Sequence, residues 1–192
     1  MYKEVLETKD LILRKARLDD VVSIYQNYWS DAESAKFMLW KVTPNLDVAQ
    51  EKLERSINFQ KDKIAYIIEE KKSGKVIGSA GVIEIEPGVF DDAGIGFGIP
   101  FTGKGYGKQV LYCFMKYLFD VLEAKKFFCS CFRENINSAK LQKSMGFEYF
   151  GTTEKVRPFD GYEYLCDTRV ITCERFHELK TQKYYKRVLK MD

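Results

Sequence analysis

A glycine-rich stretch that leads into a helical pattern carries the clearest chemical signal in the sequence. Gly103, Gly105 and Gly107 alternate with other residues at the point where the helix would begin. Glycine has no β-carbon, so free backbone N–H groups at such a turn can converge on an anion. The positive end of the helix dipole and the ammonium groups of Lys104 and Lys108 favour the same anion. The stretch therefore predicts a site for a pyrophosphate.

Two common phosphate-binding motifs fit this stretch poorly. A Walker A loop would place Ser or Thr directly after Lys104, where this chain has Gly105, so the magnesium ligand is missing. A dinucleotide fingerprint needs a third glycine, and Ile99 or Lys108 occupies that position in the two possible alignments. A nucleoside triphosphatase and a nicotinamide or flavin enzyme are therefore disfavoured. A loop that only permits a tight turn is the structural alternative.

Several motifs along the chain resemble those of one enzyme superfamily. Thr102–Gly107 resembles the [Gln/Arg]-x-x-Gly-x-[Gly/Ala] loop of acetyl-coenzyme A enzymes, apart from the threonine at its first position. Asn135–Phe147 is similar to the block that follows the fifth strand of GNAT acetyltransferases. Leu11–Asp20 and Asp160–Asp167 resemble stretches of the ribosomal-protein alanine N-acetyltransferase (RimJ/RimL-like) branch. Over about residues 8–173, the chain thus resembles a GNAT superfamily N-acetyltransferase.

The resemblance implies a cofactor and the residues that would hold it. Acetyl-coenzyme A would be the co-substrate, and no metal would be required. In the family the pantetheine arm lies along the fourth strand, where free N–H and C=O groups can pair with it, and Phe97, Gly98 and Ile99 match that place. A backbone N–H of Phe97 or Gly98 would stabilise the oxyanion. The implied cofactor-binding residues are Phe97, Gly98, Ile99, Thr102, Gly103, Lys104, Gly105, Tyr106, Gly107, Lys108, Asn135 and Ser138.

The candidate for the catalytic acid is Ser138. It matches a position proposed in the family to protonate the departing thiolate, and Asn135 matches one that contacts the pantetheine. Many superfamily members carry a tyrosine four residues before the Gly-Phe pair for this purpose, but this chain has Gln142 there. A glutamine amide cannot act as the acid. The alternative interpretation is that the Ser138 hydroxyl only caps the next helix.

The general base is less sharply defined by the sequence. A carboxylate found in this branch near the end of the sixth strand aligns with Arg157, and Glu154 is the nearest acid. Glu84 and Glu86 lie at the end of an alternating strand and could project toward an acceptor groove, although a solvated hairpin charge is the simpler interpretation of each. His177 lies in the basic tail and is rejected as the base.

The expected reaction is direct attack of a primary amine on acetyl-coenzyme A in a ternary complex. The amine would belong to a protein N-terminus or a small molecule, and a weakly defined base favours an α-amine, whose pKa is about 7.7–8.0. A non-catalytic acyl-coenzyme A-binding regulatory module is the main alternative, because Gln142 and Arg157 replace expected catalytic groups. A phosphate-binding interaction domain is a further alternative.

Hydrophobic periodicity predicts the elements that would position these residues. Helical spacing indicates helices over residues 21–29, 47–60, 106–122 and 138–145. Strand-like runs cover residues 11–16, 65–69, 76–85, 93–99, 127–132, 147–155 and 163–172. We therefore expect an α/β (α+β) fold with a mixed, mostly antiparallel sheet of about seven strands flanked by helices. Residues 1–192 would form a single domain, with its motifs in about residues 8–173 and a basic helical tail over 174–192. The resemblance further implies that the fourth strand splays away from the fifth.

Composition limits the partners and the location. The 31 basic and 28 acidic side chains leave a net charge of +3, too small to predict binding to nucleic acid or an anionic membrane. No apolar run reaches the length of a membrane span or a secretory signal, so we expect a cytoplasmic protein. Five cysteines without C-x-x-C spacing predict packed thiols and no zinc site. A monomer and a homodimer are both compatible with the sequence.

Overall fold

The computed structural model describes residues 2–189 and divides into two compact units. Unit 1 comprises the described residues up to Ile83 together with Ala93–Tyr106. Unit 2 comprises Glu84–Asp92 and the described residues from Gly107 onward. Two consecutive strands, β4 (Lys75–Glu86) and β5 (Val89–Phe97), contribute residues to both units.

The strands of unit 1 follow the order β1-β2-β3-β4-β5. Besides β4 and β5 they are β1 (Val5–Glu7), β2 (Leu11–Arg14) and β3 (Ile64–Glu70). The pairs β1/β2, β2/β3 and β3/β4 are antiparallel, with Leu11 opposite Glu70 and Ile64 opposite Val82. The sequence analysis missed β1, because a three-residue strand in which only Leu6 is buried leaves no periodic pattern.

The helices of unit 1 pack their apolar residues into a core. They are α1 (Val21–Ile24), continued by a π-helical turn (Tyr25–Trp29), then α2 (Ala32–Ala35) and α3 (Leu46–Gln60). The predicted stripe is confirmed, since Ile24, Tyr28 and Trp29 are buried together. Asn45 caps α3 by accepting a hydrogen bond of 3.0 Å from the Val48 N–H, so the helix begins at Leu46, one residue before the expected start at Asp47.

Unit 2 contains the order β5-β6-β8-β7 and most of the remaining helices. Its elements are β6 (Lys126–Phe132), β7 (Glu148–Val156), β8 (Glu163–Thr172), α5 (Ile136–Ser144), α6 (Cys173–Thr181) and α7 (Tyr184–Leu189). The helix α4 (Tyr106–Asp120) begins at the boundary between the units and buries the predicted apolar face. Cys129 and Cys131 are buried on one face of β6, and Ser130 on the other face is half-buried.

Parallel pairing in the described chain joins β5 to β6. The register runs from Val89 opposite Lys126 to Asp91 opposite Phe128 and covers the first three residues of β5, while the strand continues to Phe97. The pairs β6/β8 and β7/β8 are antiparallel. The mixed sheet is thus confirmed, with eight strands instead of about seven. The tail is helical as far as Leu189, and the last three residues of the predicted tail lie outside the described residues. Between residues 2 and 189, no helix has the length and apolarity needed to cross a membrane.

Candidate active site

The glycine loop of unit 1 contains two residues in a backbone conformation that favours glycine. Gly103 and Gly105 have φ angles of +73° and +84°, in the left-handed region where a side chain causes strain. Both glycines are exposed, and a β-carbon at either would meet no atom within 4 Å. Glycine is therefore required here by the backbone conformation and not by packing. The loop leads directly into α4 at Tyr106.

A buried carboxylate missed by the sequence analysis holds the loop. Glu70, the last residue of β3, is 7% exposed. Its Oε1 accepts a hydrogen bond of 2.5 Å from Tyr106 Oη and lies 3.7 Å from Lys104 Nζ. Its Oε2 accepts a hydrogen bond of 2.7 Å from Ser73 Oγ. In the sequence this glutamate stands in a charged run before a turn, which gives no sign of these contacts.

The backbone of Gly98 and Ile99 differs from the expectation. β5 ends at Phe97, the Gly98 N–H donates to Ile77 O at 2.9 Å, and the Ile99 N–H donates to Ser34 Oγ at 3.2 Å. The N–H groups of Gly98 and Ile99 are therefore not free for the pantetheine, and the Gly98 N–H is not free for the oxyanion.

Gly98 also has a packing role that the sequence did not reveal. A β-carbon at this position would overlap the carbonyl oxygen of Asn27. The chain after β5 thus lies directly against the π-helical turn, and glycine is needed for this close approach. Thr102, next in the predicted loop motif, is exposed and donates its hydroxyl to Ile99 O at 2.9 Å.

In unit 2, the predicted acid Ser138 and the predicted pantetheine ligand Asn135 are hydrogen-bonded to each other at the start of α5. Asn135 Oδ1 accepts a hydrogen bond of 3.1 Å from the Ser138 N–H and caps the helix. Gln142 Nε2 donates to Ser138 Oγ at 3.2 Å. Gln142 is buried and is held by Arg169, whose Nη1 donates to Gln142 Oε1 at 3.2 Å. Asn135 is therefore the helix cap, and the Ser138 hydroxyl does not cap the helix but accepts a hydrogen bond from Gln142.

Two further cofactor candidates lie in the first turn of α4. A β-carbon at Gly107 would lie 2.7 Å from Leu141 Cδ2, so this glycine lets α4 and α5 approach within unit 2. Lys108, the next residue, is half-buried. Backbone conformation thus requires glycine at positions 103 and 105, whereas close packing requires it at position 107.

The two base candidates are exposed residues of unit 2. Glu84 Oε1 accepts a hydrogen bond of 2.8 Å from the Gly88 N–H and so braces the turn between β4 and β5. Glu154 lies on β7 opposite Leu165. His177, rejected from the sequence, has Nε2 3.0 Å from Asp120 Oδ1. The structure therefore shows a local structural contact for Glu84.

A pair of half-buried carboxylates on β5 was also missed. Asp92 Oδ1 accepts a hydrogen bond of 2.7 Å from the Ser130 N–H, and Asp91 Oδ1 accepts one of 2.9 Å from the Asp92 N–H. Burial raises the pKa of Asp91 above its usual value. Two adjacent acids directly before the predicted strand that begins at Ala93 are the sequence signal that marks them. Over residues 2–189, no three His, Cys, Asp or Glu side chains are grouped so as to hold a metal ion.

Comparison with known protein families identifies the class of protein to which the chain belongs. The model of the acetyltransferase (GNAT) domain matches residues 10–148, which is most of the chain. The chain belongs to this family and is an acetyl-coenzyme A-dependent acetyltransferase, with acetyl-coenzyme A as its co-substrate. No match was found among curated protein sequences.

Solved structures of acetyltransferases share the fold. A GCN5-related N-acetyltransferase from Brucella melitensis has 18% identity and a TM-score of 0.84, over 98% of this chain and 86% of that one. The microcin C7 self-immunity acetyltransferase MccE, in complex with acetyl-CoA and AMP, has 20% identity and a TM-score of 0.73, over 86% and 93% of the two chains. Spermidine N-acetyltransferase from Vibrio cholerae, in complex with CoA and spermine, has 17% identity and a TM-score of 0.71, over 88% and 99%. At these identities the similarity establishes the fold alone.

Proposed function

We propose that this protein transfers the acetyl group of acetyl-coenzyme A to a primary amine, which attacks directly in a ternary complex. The observation that carries the proposal is the exposed glycine loop, in which Gly103 and Gly105 hold positive φ angles directly before α4. The acceptor would be a protein N-terminus or a small amine. The resemblance of Asp160–Asp167 supports the ribosomal-protein alanine N-acetyltransferase branch, and the named activity of the Vibrio cholerae relative supports a polyamine.

The loop would hold the pyrophosphate of the cofactor. Its backbone N–H groups and the start of α4 supply partial positive charge, and Lys104 and Lys108 supply full charges. The N–H of Phe97, the last residue of β5, is the proposed partner for the pantetheine or the oxyanion, because the Gly98 N–H already donates to Ile77 O. The Asn135 amide nitrogen is not used by the helix cap and can donate to the pantetheine.

The chemical step needs a neutral amine and a proton for the departing sulfur. The amine nitrogen attacks the thioester carbonyl, the C–S bond breaks, and the thiolate of coenzyme A takes up a proton. Ser138 is the proposed donor: its Oγ accepts a hydrogen bond from Gln142 Nε2, which would stabilise the oxygen after the hydroxyl proton has left. Glu84 and Glu154 stay the proposed acceptors of the amine proton. Both side chains are exposed, so neither is held in place as a dedicated base. An α-amine, part of which is already neutral at physiological pH, needs the least help from such a base.

The test is release of free coenzyme A thiol across a panel of acceptors. The panel contains peptides with free and blocked N-termini, a polyamine and single amino acids, and Gly105→Val is the inactive control. We expect thiol release that depends on one acceptor class and an acetylated product of matching mass. Acetyl-coenzyme A binding without acceptor-dependent release from any primary amine would support the regulatory-module alternative instead.

A further inference from the structure

We propose that Glu70 is a positioning residue that orders the glycine loop for acetyl-coenzyme A by holding Tyr106 and Lys104. This inference rests on the proposed role of the loop in binding the cofactor. Glu70, Tyr106 and Lys104 all belong to unit 1, and 36 residues separate Glu70 from Tyr106 in the chain. The carboxylate thus ties the end of β3 to the loop through side-chain contacts.

The carboxylate has partners on both sides. Toward the loop, Oε1 accepts from Tyr106 Oη at 2.5 Å and lies 3.7 Å from Lys104 Nζ. Toward its own turn, Oε2 accepts from Ser73 Oγ at 2.7 Å, and the Glu70 carbonyl accepts from the Gly74 N–H at 2.8 Å. Each oxygen is therefore engaged, and the turn after β3 fixes the carboxylate that the loop contacts.

The protonation states make these contacts charge-assisted. Hydrogen bonds from Tyr106 and Ser73, together with the charge of Lys104, lower the pKa of Glu70. Burial and the contact with Glu70 raise the pKa of Tyr106 to about 12. At neutral pH the carboxylate is therefore ionised and the phenol keeps its proton, the combination that gives short, strong O–H···O⁻ hydrogen bonds.

A carboxylate near an anion site has two opposing effects on binding. It repels the pyrophosphate, and it holds the side chains of Lys104, within the loop, and Tyr106, at the first position of α4. Lys104 neutralises part of its charge, while the lysine side chain stays 46% exposed and its Nζ lies 5.0 Å from the centre of the Phe101 ring. Because Glu70 is almost buried and already paired, we expect positioning to outweigh repulsion.

The decisive variant is Glu70→Gln, which keeps the shape of the side chain and removes its charge. We expect acetyl-coenzyme A to bind about tenfold more weakly, as for loss of a hydrogen bond to a charged group, with kcat and the KM of the amine unchanged. Glu69→Gln is the matched control, because it removes the same charge from the preceding residue, whose carboxylate binds Arg14 and not the loop. The binding constant is measured by calorimetry, and melting confirms that both variants fold.

A double-mutant cycle tests whether Glu70 acts through its hydrogen bond with Tyr106. Tyr106→Phe removes the same hydrogen bond from the other side, so the double variant should bind acetyl-coenzyme A no more weakly than the weaker of the two single variants. Tyr106→Phe also preserves the test if Glu70→Gln does not fold. Unchanged or tighter binding in the folded variants, or additive losses, would overturn the inference. If Gly105→Val abolishes binding while Glu70→Gln has no effect, only this inference fails; if Gly105→Val also has no effect, the proposed function of the loop fails.

Discussion

The side-chain oxygen of Asn135 accepts a hydrogen bond of 3.1 Å from the backbone N–H of Ser138. The proposed pantetheine ligand therefore also caps the helix that carries the proposed acid. An N-cap replaced by alanine costs about 0.5–2 kcal/mol of stability. Removing Asn135 would thus disturb folding and cofactor binding together, and substitutions must be chosen to separate the two effects.

Asn135→Ser should weaken cofactor binding without weakening the helix. Serine caps helices about as well as asparagine but lacks the amide donor. We expect the melting temperature to stay near that of the wild type and the KM for acetyl-coenzyme A to rise about two- to tenfold, the cost of one hydrogen bond. Asn135→Ala, the comparison variant, should lower both stability and affinity. Wild-type kinetics in Asn135→Ser would leave Asn135 with the cap as its only role.

Ser138→Ala should lower turnover more than stability. If the hydroxyl protonates the thiolate, kcat should fall about 100-fold or more, since general acid catalysis supplies about 100- to 10,000-fold. Ser144→Ala is the matched control at the end of the same helix, where the hydroxyl donates to Leu141 O at 2.8 Å. Steady-state rates and melting are measured together on both variants. Normal turnover in folded Ser138→Ala would remove this residue from the mechanism.

Gly105→Val should abolish acetyl-coenzyme A binding in a protein that still folds. Valine resists the positive φ of +84° at Gly105, so the loop must rearrange, yet the open space around it spares the core. The control is Gly161→Val, which has a φ of +73° and equally open surroundings in the turn between β7 and β8. Calorimetric titration with acetyl-coenzyme A compares them. Equal affinities for the two variants would refute the loop assignment.

Lys104→Gln combined with Lys108→Gln should weaken binding modestly and flatten its dependence on salt. Exposed ion pairs contribute about 0–1 kcal/mol each, so we expect a loss of up to about fivefold per lysine, with the backbone amides retaining the rest. Lys61→Gln with Lys63→Gln removes the same charge from exposed positions elsewhere in unit 1. Affinity is measured across a range of ionic strengths. A salt dependence that matches the wild type would place the phosphates away from these lysines.

Asp91→Asn should stabilise the protein at neutral pH. Burial raises the pKa of Asp91 in the folded chain, so folding disfavours its ionised form. The penalty is absent below the ordinary aspartate pKa of about 3.9 and develops as the pH rises through the folded value. The gain in melting temperature should therefore be present at pH 7 and vanish in acid. Asp160→Asn serves as the control, because the hydrogen bond from Arg157 lowers the pKa of Asp160 and its loss should not stabilise. A gain independent of pH would rule out the charge as the cause.

Much of the site was predictable because it depends on short stretches of chain. Glycine at positions 103 and 105 permits the positive φ angles found there, and the helix that begins at Tyr106 follows from apolar spacing. The free N–H groups expected at Gly98 and Ile99 were wrong for a different reason. Their partners, Ile77 O and Ser34 Oγ, come from remote segments that no local pattern identifies.

The order of motifs, the mixed sheet and the glycine loop were all readable from the residues, because helix and strand periodicity and glycine conformations are local properties. The roles of individual side chains depended on tertiary contacts. Glu70 looked like one charge before a turn and is instead buried against Tyr106, while Asn135 caps α5 and Gln142 binds Ser138. Which polar groups are paired, and which remain available to a ligand, depends on neighbours distant in sequence, and only the folded chain brings them together.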